Sequence, residues 1–190
     1  MSQATYRADL RRVIRGFWNN LWSQAEFQDL MFNAIDRGIS NAWYSGAKKV
    51  GILPDEITPE EQIKLSTIVF REYSYVPGLS AFVFANQKRV GGKLRDCLSR
   101  ADSWANRWND ASNQAMLSGQ ADPKLEWVLG PTEHCSTCLK LAGKVKRAST
   151  WEKSGWRPQS RALACGGWRC QCRWVPTDKP LSRGRLPTTA

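Results

Sequence analysis

The sequence predicts a mainly α protein, a helical body that carries a small cysteine-rich, zinc-stapled α+β module at its C-terminal end. Three observations lead there. Apolar residues recur every three or four positions through most of residues 4–118. Beyond residue 120 that rhythm gives way to short β-prone runs punctuated by Gly and Pro. Five of the six cysteines fall in this second region. The expected organisation is therefore a body over 1–120, a basic cysteine-rich module over 121–176 and a polar, Pro-containing tail over 177–190 that packs on nothing.

The elements follow in order. Leu10, Val13, Ile14, Phe17, Trp18 and Leu21 form one helical stripe. Ser23-Gln24-Ala25-Glu26 then has the spacing of a capping box, so the chain bends near residue 22 and a second helix begins. Its stripe runs through Phe27, Leu30, Met31, Ala34, Ile35, Ile39, Ala42 and Trp43 and stops at Gly51 and Pro54. Thr58-Pro59-Glu60-Glu61 supplies a cap, a proline suited to the first helical position and two acids for the helix dipole. That helix ends before Pro77, and Pro77-Gly78 reads as a turn. Helical spacing resumes over 80–118 through Phe82, Ala85, Leu94, Leu98, Trp104, Trp108, Ala111 and Ala115, with a break at Gly91-Gly92 and Cys97 as a buried helix residue. Gly119 to Pro123 closes the helical part. In the module, Leu125 to Leu129, Lys144 to Lys146 and Trp168 to Val175 read as strands. Ser149 to Lys153 reads as a helical turn capped by Ser149 and Glu152. Segments this short bury little among themselves, and below roughly 40 residues a metal is a common staple.

Composition narrows the function classes. With 42% hydrophobic and 24% charged residues over 190 positions, the chain folds. No apolar run reaches the roughly 18 residues of a membrane span. Residues 1–18 are polar and basic where a signal peptide needs an apolar stretch, so a cytoplasmic site of synthesis is expected. Lys and Arg number 28 against 17 acids, a net +11, of which residues 1–120 carry +3 and residues 121–190 carry +8. An anionic partner, phosphate-rich or acidic, suits that imbalance.

The chemistry-bearing pattern is Cys135-Ser-Thr-Cys138 followed by Cys165-Gly-Gly-Trp-Arg-Cys170-Gln-Cys172. A Cys-x-x-Cys turn points two thiolates at one tetrahedral ion, and a distant cysteine group completes it; zinc suits such a set in a reducing compartment. Disulfides and free thiols are the alternatives. Five cysteines plus His134 exceed the four ligands of a closed site, so four of Cys135, Cys138, Cys165, Cys170 and Cys172 are expected to bind. Cys135 and Cys138 form the safest pair. In a regular strand Cys170 and Cys172 point alike, and both reach one ion only after local backbone adjustment; Cys165 with either is easier. Gly166-Gly167 lies where a tight turn between ligands needs glycine.

No catalytic constellation emerges. His134 adjoins Cys135, but nucleophile and base normally converge from distant parts of a fold, and the chain has no second His. Gly91-Gly92-Lys93 lacks the rest of a phosphate loop. A non-enzyme is expected. Lys144, Lys146, Arg147, Arg157, Arg161, Arg169 and Arg173 interleave with Trp151, Trp156, Trp168 and Trp174. Such a face stacks bases and neutralises phosphates. The favoured reading makes the rings the module's core, because aliphatic residues are scarce there, and leaves the basic side chains for an acidic or nucleic-acid partner.

The run from Trp127 through Gly130-Pro131-Thr132-Glu133-His134 to Cys135 and Cys138, then Leu141-Ala142-Gly143-Lys144, Trp156-Arg157-Pro158 and Cys170-Gln171-Cys172-Arg173, resembles the C-terminal region of tailed-phage head morphogenesis proteins of the phage Mu F type, the minor head proteins. The resemblance spans about residues 100–175. Members often carry a His-Pro pair before the final Cys-x-Cys; here Gly167-Trp168 stand in that region, and Cys165 takes the missing histidine's place as a ligand. The resemblance implies a virion-assembly protein in several copies per particle, made in the host cytoplasm and retained in the virion. Its partners would be portal and capsid proteins, with packaged DNA facing the +8 region. The alternative is a zinc-dependent nucleic-acid-binding protein that uses the basic and Trp-rich face of residues 144–174.

Overall fold

The computed structural model describes residues 1–118, 122–131, 133–167 and 170–187. Among them the chain is mainly helical, with one small sheet and a cysteine cluster near its C-terminal end. The helices are α1 (Gln3–Trp18), α2 (Gln24–Lys49), α3 (Pro59–Tyr73), α4 (Val76–Ala85), α5 (Leu94–Ala105) and α6 (Arg107–Ser118). They are followed by β1 (Lys124–Val128), α7 (Ser136–Leu141), β2 (Val145–Arg147), α8 (Ala148–Ser154) and β3 (Arg173–Pro176).

Two capping boxes set helix starts. The Ser23 N–H donates to Glu26 Oε2 at 2.7 Å and the Glu26 N–H to Ser23 Oγ at 3.2 Å, while Thr58 and Glu61 exchange the same pair at 2.9 and 3.2 Å. Pro77 and Gly78 do not make a turn. They lie in the first turn of α4, where a proline N–H is not needed, so the break falls at residues 74–75. The 80–118 stretch is interrupted near Gly91-Gly92, as the glycines require, and again at Asn106 between α5 and α6.

Contacts divide the chain into two units, Met1–Ala42 with Gln62–Trp108, and Trp43–Glu61 with Asn109–Ala190. In the first, α1 packs on α4 and α5. Tyr6, Leu10, Ile14 and Phe17 are buried with Phe27, Met31, Ile35, Ile39, Val83 and Cys97. The Phe17 and Phe27 rings stack with centroids 4.4 Å apart. Gly38 of α2 lies against the Tyr6 ring so closely that a Cβ would occupy the ring's space. Glu72, 1% exposed, pairs with Arg71 at 3.0 Å and Arg107 at 3.8 Å.

The second unit holds an antiparallel sheet of order β2-β1-β3, in which Trp127 faces Trp174. Alternation sends Leu125 and Trp127 inward. The rings of Trp127, Trp151 and Trp174 pack mutually at 5.7–6.2 Å, and Trp151 Nε1 donates to the Leu125 carbonyl at 3.0 Å. Leu141, Trp156, Leu163, Met116 and three cysteines complete this core.

Three expectations need correction. The module is not confined to 121–176: Trp43–Glu61 and residues 109–118 belong with it. Gly46 lets the Ser112 carbonyl approach the backbone of α2, Val50 packs on the tryptophan core, and Asn113 of α6 hydrogen-bonds into the module. The 177–190 segment, where described, is not a loose tail. Ser182 exchanges two hydrogen bonds of 2.9 Å with Val145, on the outer edge of β2; Lys146 Nζ donates to the Ser182 and Gly184 carbonyls, and Trp156 Nε1 to that of Pro187. An edge strand otherwise leaves its polar groups unpaired. Finally, α8 is capped not by Ser149 and Glu152 but by Asp122, whose carboxylate accepts from the Ser149 N–H at 2.8 Å and the Ser149 hydroxyl at 3.1 Å. The closing segment expected at 119–121 and the residues Trp168 and Arg169 of the expected third strand lie outside the described residues; the strand itself begins at Arg173.

Candidate metal centre

Three loops carry the cysteines together. Cys135 occupies the cap position of α7 and Cys138 its first turn. Cys165 opens a tight turn in which Gly166 and Gly167 take φ of +62° and +77°, a conformation that favours glycine. A Cβ on Gly167 would also collide with the Gln159 carbonyl. The Ala164 N–H donates to Thr137 Oγ1 at 3.2 Å, tying this turn to the Cys-x-x-Cys loop. Cys170 and Cys172 precede β3, in irregular backbone, and this frees both sulfurs to face one point as a regular strand would not.

The Sγ atoms of Cys138, Cys170 and Cys172 all lie within 4.8 Å of one another. Cys138 and Cys170 are 3.9 Å apart. Two thiolates on a tetrahedral zinc, at Zn–S of about 2.3 Å, stand about 3.8 Å apart, so this spacing needs little adjustment. The His134 Nδ1 lies 3.8 Å from Cys172 Sγ. Cys135 interacts with Cys138 and Cys165. The sequence-safest pair is thus divided, with Cys138 in the inner triad and Cys135 beside Cys165 at its margin.

Cys138, Cys170 and Cys172 are 1%, 6% and 1% exposed, while Cys135, Cys165 and His134 are half-buried. Charge is shared unevenly in so tight a group. Cys138 is pushed up by its contacts with Cys170 and Cys172 and by burial, and keeps its proton. Hydrogen bonds from Cys138 and Cys170 pull Cys172 down to about 3. Burial pushes Cys165 up to about 11. Several thiols cannot ionise side by side without a cation, and a bound dication displaces the remaining protons.

A buried amide network orients the Cys170-Gln171-Cys172 loop. Gln159, 3% exposed at φ +62°, donates its side-chain N–H groups to the carbonyls of Cys170 and Cys172 and accepts from Asn113 Nδ2 at 2.8 Å. Asn113 Oδ1 in turn accepts from the Trp174 N–H at 3.1 Å. Nothing in the sequence marks Gln159 or Asn113 as part of the site, since their partners are backbone atoms remote along the chain.

The basic residues scatter. Arg157 pairs with Asp110 at 3.0 Å, Arg147 donates to the Asp122 carbonyl and Lys146 holds residues 182–184. Lys144 is half-buried, Arg161 and Arg173 are exposed, and Arg169 lies outside the described residues. Trp151, Trp156 and Trp174 are at most 4% exposed and present no stacking face to solvent.

The cluster of Cys138, Cys170 and Cys172 could therefore hold a metal ion, in a setting built into the core of the unit. No protein-family model, curated protein or solved structure matches the chain. Among the described residues no helix is long and apolar enough to cross a membrane.

Proposed function

We propose that the chain is a non-enzymatic minor head protein of the tailed-phage head morphogenesis type, which associates with the portal or capsid interior during assembly and whose C-terminal unit is stapled by structural zinc. The observation that carries the structural role is the position of the thiols inside the core with Trp127, Trp151 and Trp174. Catalytic zinc sites keep a position open to water and substrate, whereas a thiolate set enclosed by tryptophans holds loops together. Soft sulfur donors in a reducing compartment favour zinc over harder cations. The assembly role rests on the residue pattern from Trp127 to Arg173 that resembles the minor head proteins, and the +8 of residues 121–190 suits an acidic portal surface or packaged DNA.

The test is affinity purification of the tagged chain from cells producing particles, with and without nuclease, followed by mass spectrometry. Portal or capsid proteins that survive nuclease support the reading. Loss of every partner with nuclease, and DNA retained without it, would replace it with nucleic-acid binding, in which case Arg161 and Arg173, the exposed cations of the module, are the first to substitute. Zinc content near zero in freshly purified, reduced protein would remove the staple.

A further inference from the structure

Five thiols and an imidazole are more than one ion can use, and their arrangement accounts for the surplus. Contacts order them in three pairs. Cys138 and Cys170 lie at the centre, 3.9 Å apart. On one side stand Cys172, within 4.8 Å of both, and His134, 3.8 Å from Cys172. On the other stand Cys135, which interacts with Cys138 and with Cys165, and Cys165, which faces Cys135 and Cys170. The six donors thus outline two four-cornered sets that share the Cys138–Cys170 edge.

We propose that the centre binds two zinc ions bridged by the Cys138 and Cys170 thiolates, one ion completed by Cys172 and His134 and the other by Cys135 and Cys165. The inference rests on the zinc staple proposed above and extends it. Two tetrahedral ions have eight coordination positions; two shared thiolates fill four of them, and the other four donors fill the rest, so no ligand is left over and none is lacking. Charge agrees. Five thiolates around one dication leave three uncompensated negative charges in a largely buried site, whereas two dications leave one, and unpaired buried charge is costly.

An independent feature concerns the outer pair. The Cys138 N–H donates to the Cys135 sulfur and the Gly167 N–H to the Cys165 sulfur, just as the Gly130 N–H donates to Cys172 and the Cys172 N–H to Cys170. Backbone amides aimed at a sulfur stabilise a thiolate, which is what a metal ligand must be. A spectator thiol has no need of such a donor. Cys97, buried in α5 of the other unit, serves as the internal control.

The experiment is native mass spectrometry of the full chain, purified under reductant from zinc-supplemented cells. Two zinc ions per chain are expected in the wild type and in Cys97→Ser, and one in Cys165→Ser. A single ion in the wild type, unchanged by Cys165→Ser, would overturn the bridged pair while leaving the staple intact; no ion would overturn both. A loss of two hydrogens that locates a Cys135–Cys165 disulfide beside one ion would also overturn it. Should Cys165→Ser fail to fold, cadmium-113 NMR of the cadmium-loaded wild type decides. Two resonances that split each other through shared sulfur support the proposal, and a single resonance refutes it.

Discussion

Gln159 illustrates how much of the centre depends on side chains that bind no metal. Its amide holds both carbonyls of the Cys170–Cys172 loop and is itself held by Asn113. Asn tolerates the positive φ at this position but is one methylene too short to reach. We predict that Gln159→Asn destabilises the protein by about 2–4 kcal/mol, through lost bonds and buried carbonyls left unpaired. It should also weaken zinc binding on the order of 10–100-fold, as loss of groups that orient ligands commonly does. Urea unfolding and chelator competition measure the two effects, and unchanged zinc affinity would separate the network from the metal. The cysteines were legible in sequence because their residue type and spacing state their chemistry. Gln159 was not, because an amide that serves distant backbone leaves no local pattern. The division of Cys135 from Cys138 was likewise hidden: the loop spacing allows both to face one ion, and only the placement of Cys165 draws one aside.

At the scale of elements, local rules worked where the partner was local. Ser23 with Glu26 and Thr58 with Glu61 close their boxes within three residues. At α8 the cap comes instead from Asp122, 27 residues before Ser149, and no window around Ser149 reveals it. Asp122→Ala is expected to cost about 0.5–2 kcal/mol, the range for a lost helix cap, with Ser149→Ala adding little to it in the double variant; thermal melts of the three variants check the coupling. The packing of α1 on α2 makes a sharper demand. Gly38→Ala places a methyl group where the buried Tyr6 ring stands, and we predict a loss of about 1–3 kcal/mol from overpacking. A melt within error of wild type would mean that the ring can shift. Pro77-Gly78 misled for a related reason: the dipeptide signals a turn in isolation, yet Pro is also at home in the first turn of a helix, and burial of Val76, Leu79 and Val83 decides for the helix.

The whole molecule follows the predicted class, mainly helical with a small cysteine-bearing sheet, but not the predicted boundaries. Composition changes near residue 120, and structure does not, because Gly46, Val50 and Asn113 are committed to the second unit by contacts that composition cannot express. Removal of zinc with a high-affinity chelator should therefore unsettle the tryptophan core, red-shift its fluorescence and lower the melting temperature, while much of the far-UV helical signal persists from the first unit. An unchanged emission spectrum would argue against a metal role in that core. Truncation after Thr177 should uncover the outer edge of β2 and release Lys146 and Trp156, which lowers stability and promotes association through the exposed edge; light scattering and thermal melts of the shortened chain test it. The same seal sets an order of events during synthesis. The second unit draws on residues from Trp43 onward, yet β2 finds its Ser182 partner only 37 residues after Val145. On a translating ribosome the first unit has all its residues once Trp108 has emerged, whereas the early part of the second must wait, unpaired, until the sealing segment clears the exit tunnel. Delay in that interval, by rare codons or a stalled ribosome, would hold a tryptophan-rich surface and a set of unligated thiols open to holdases and oxidants.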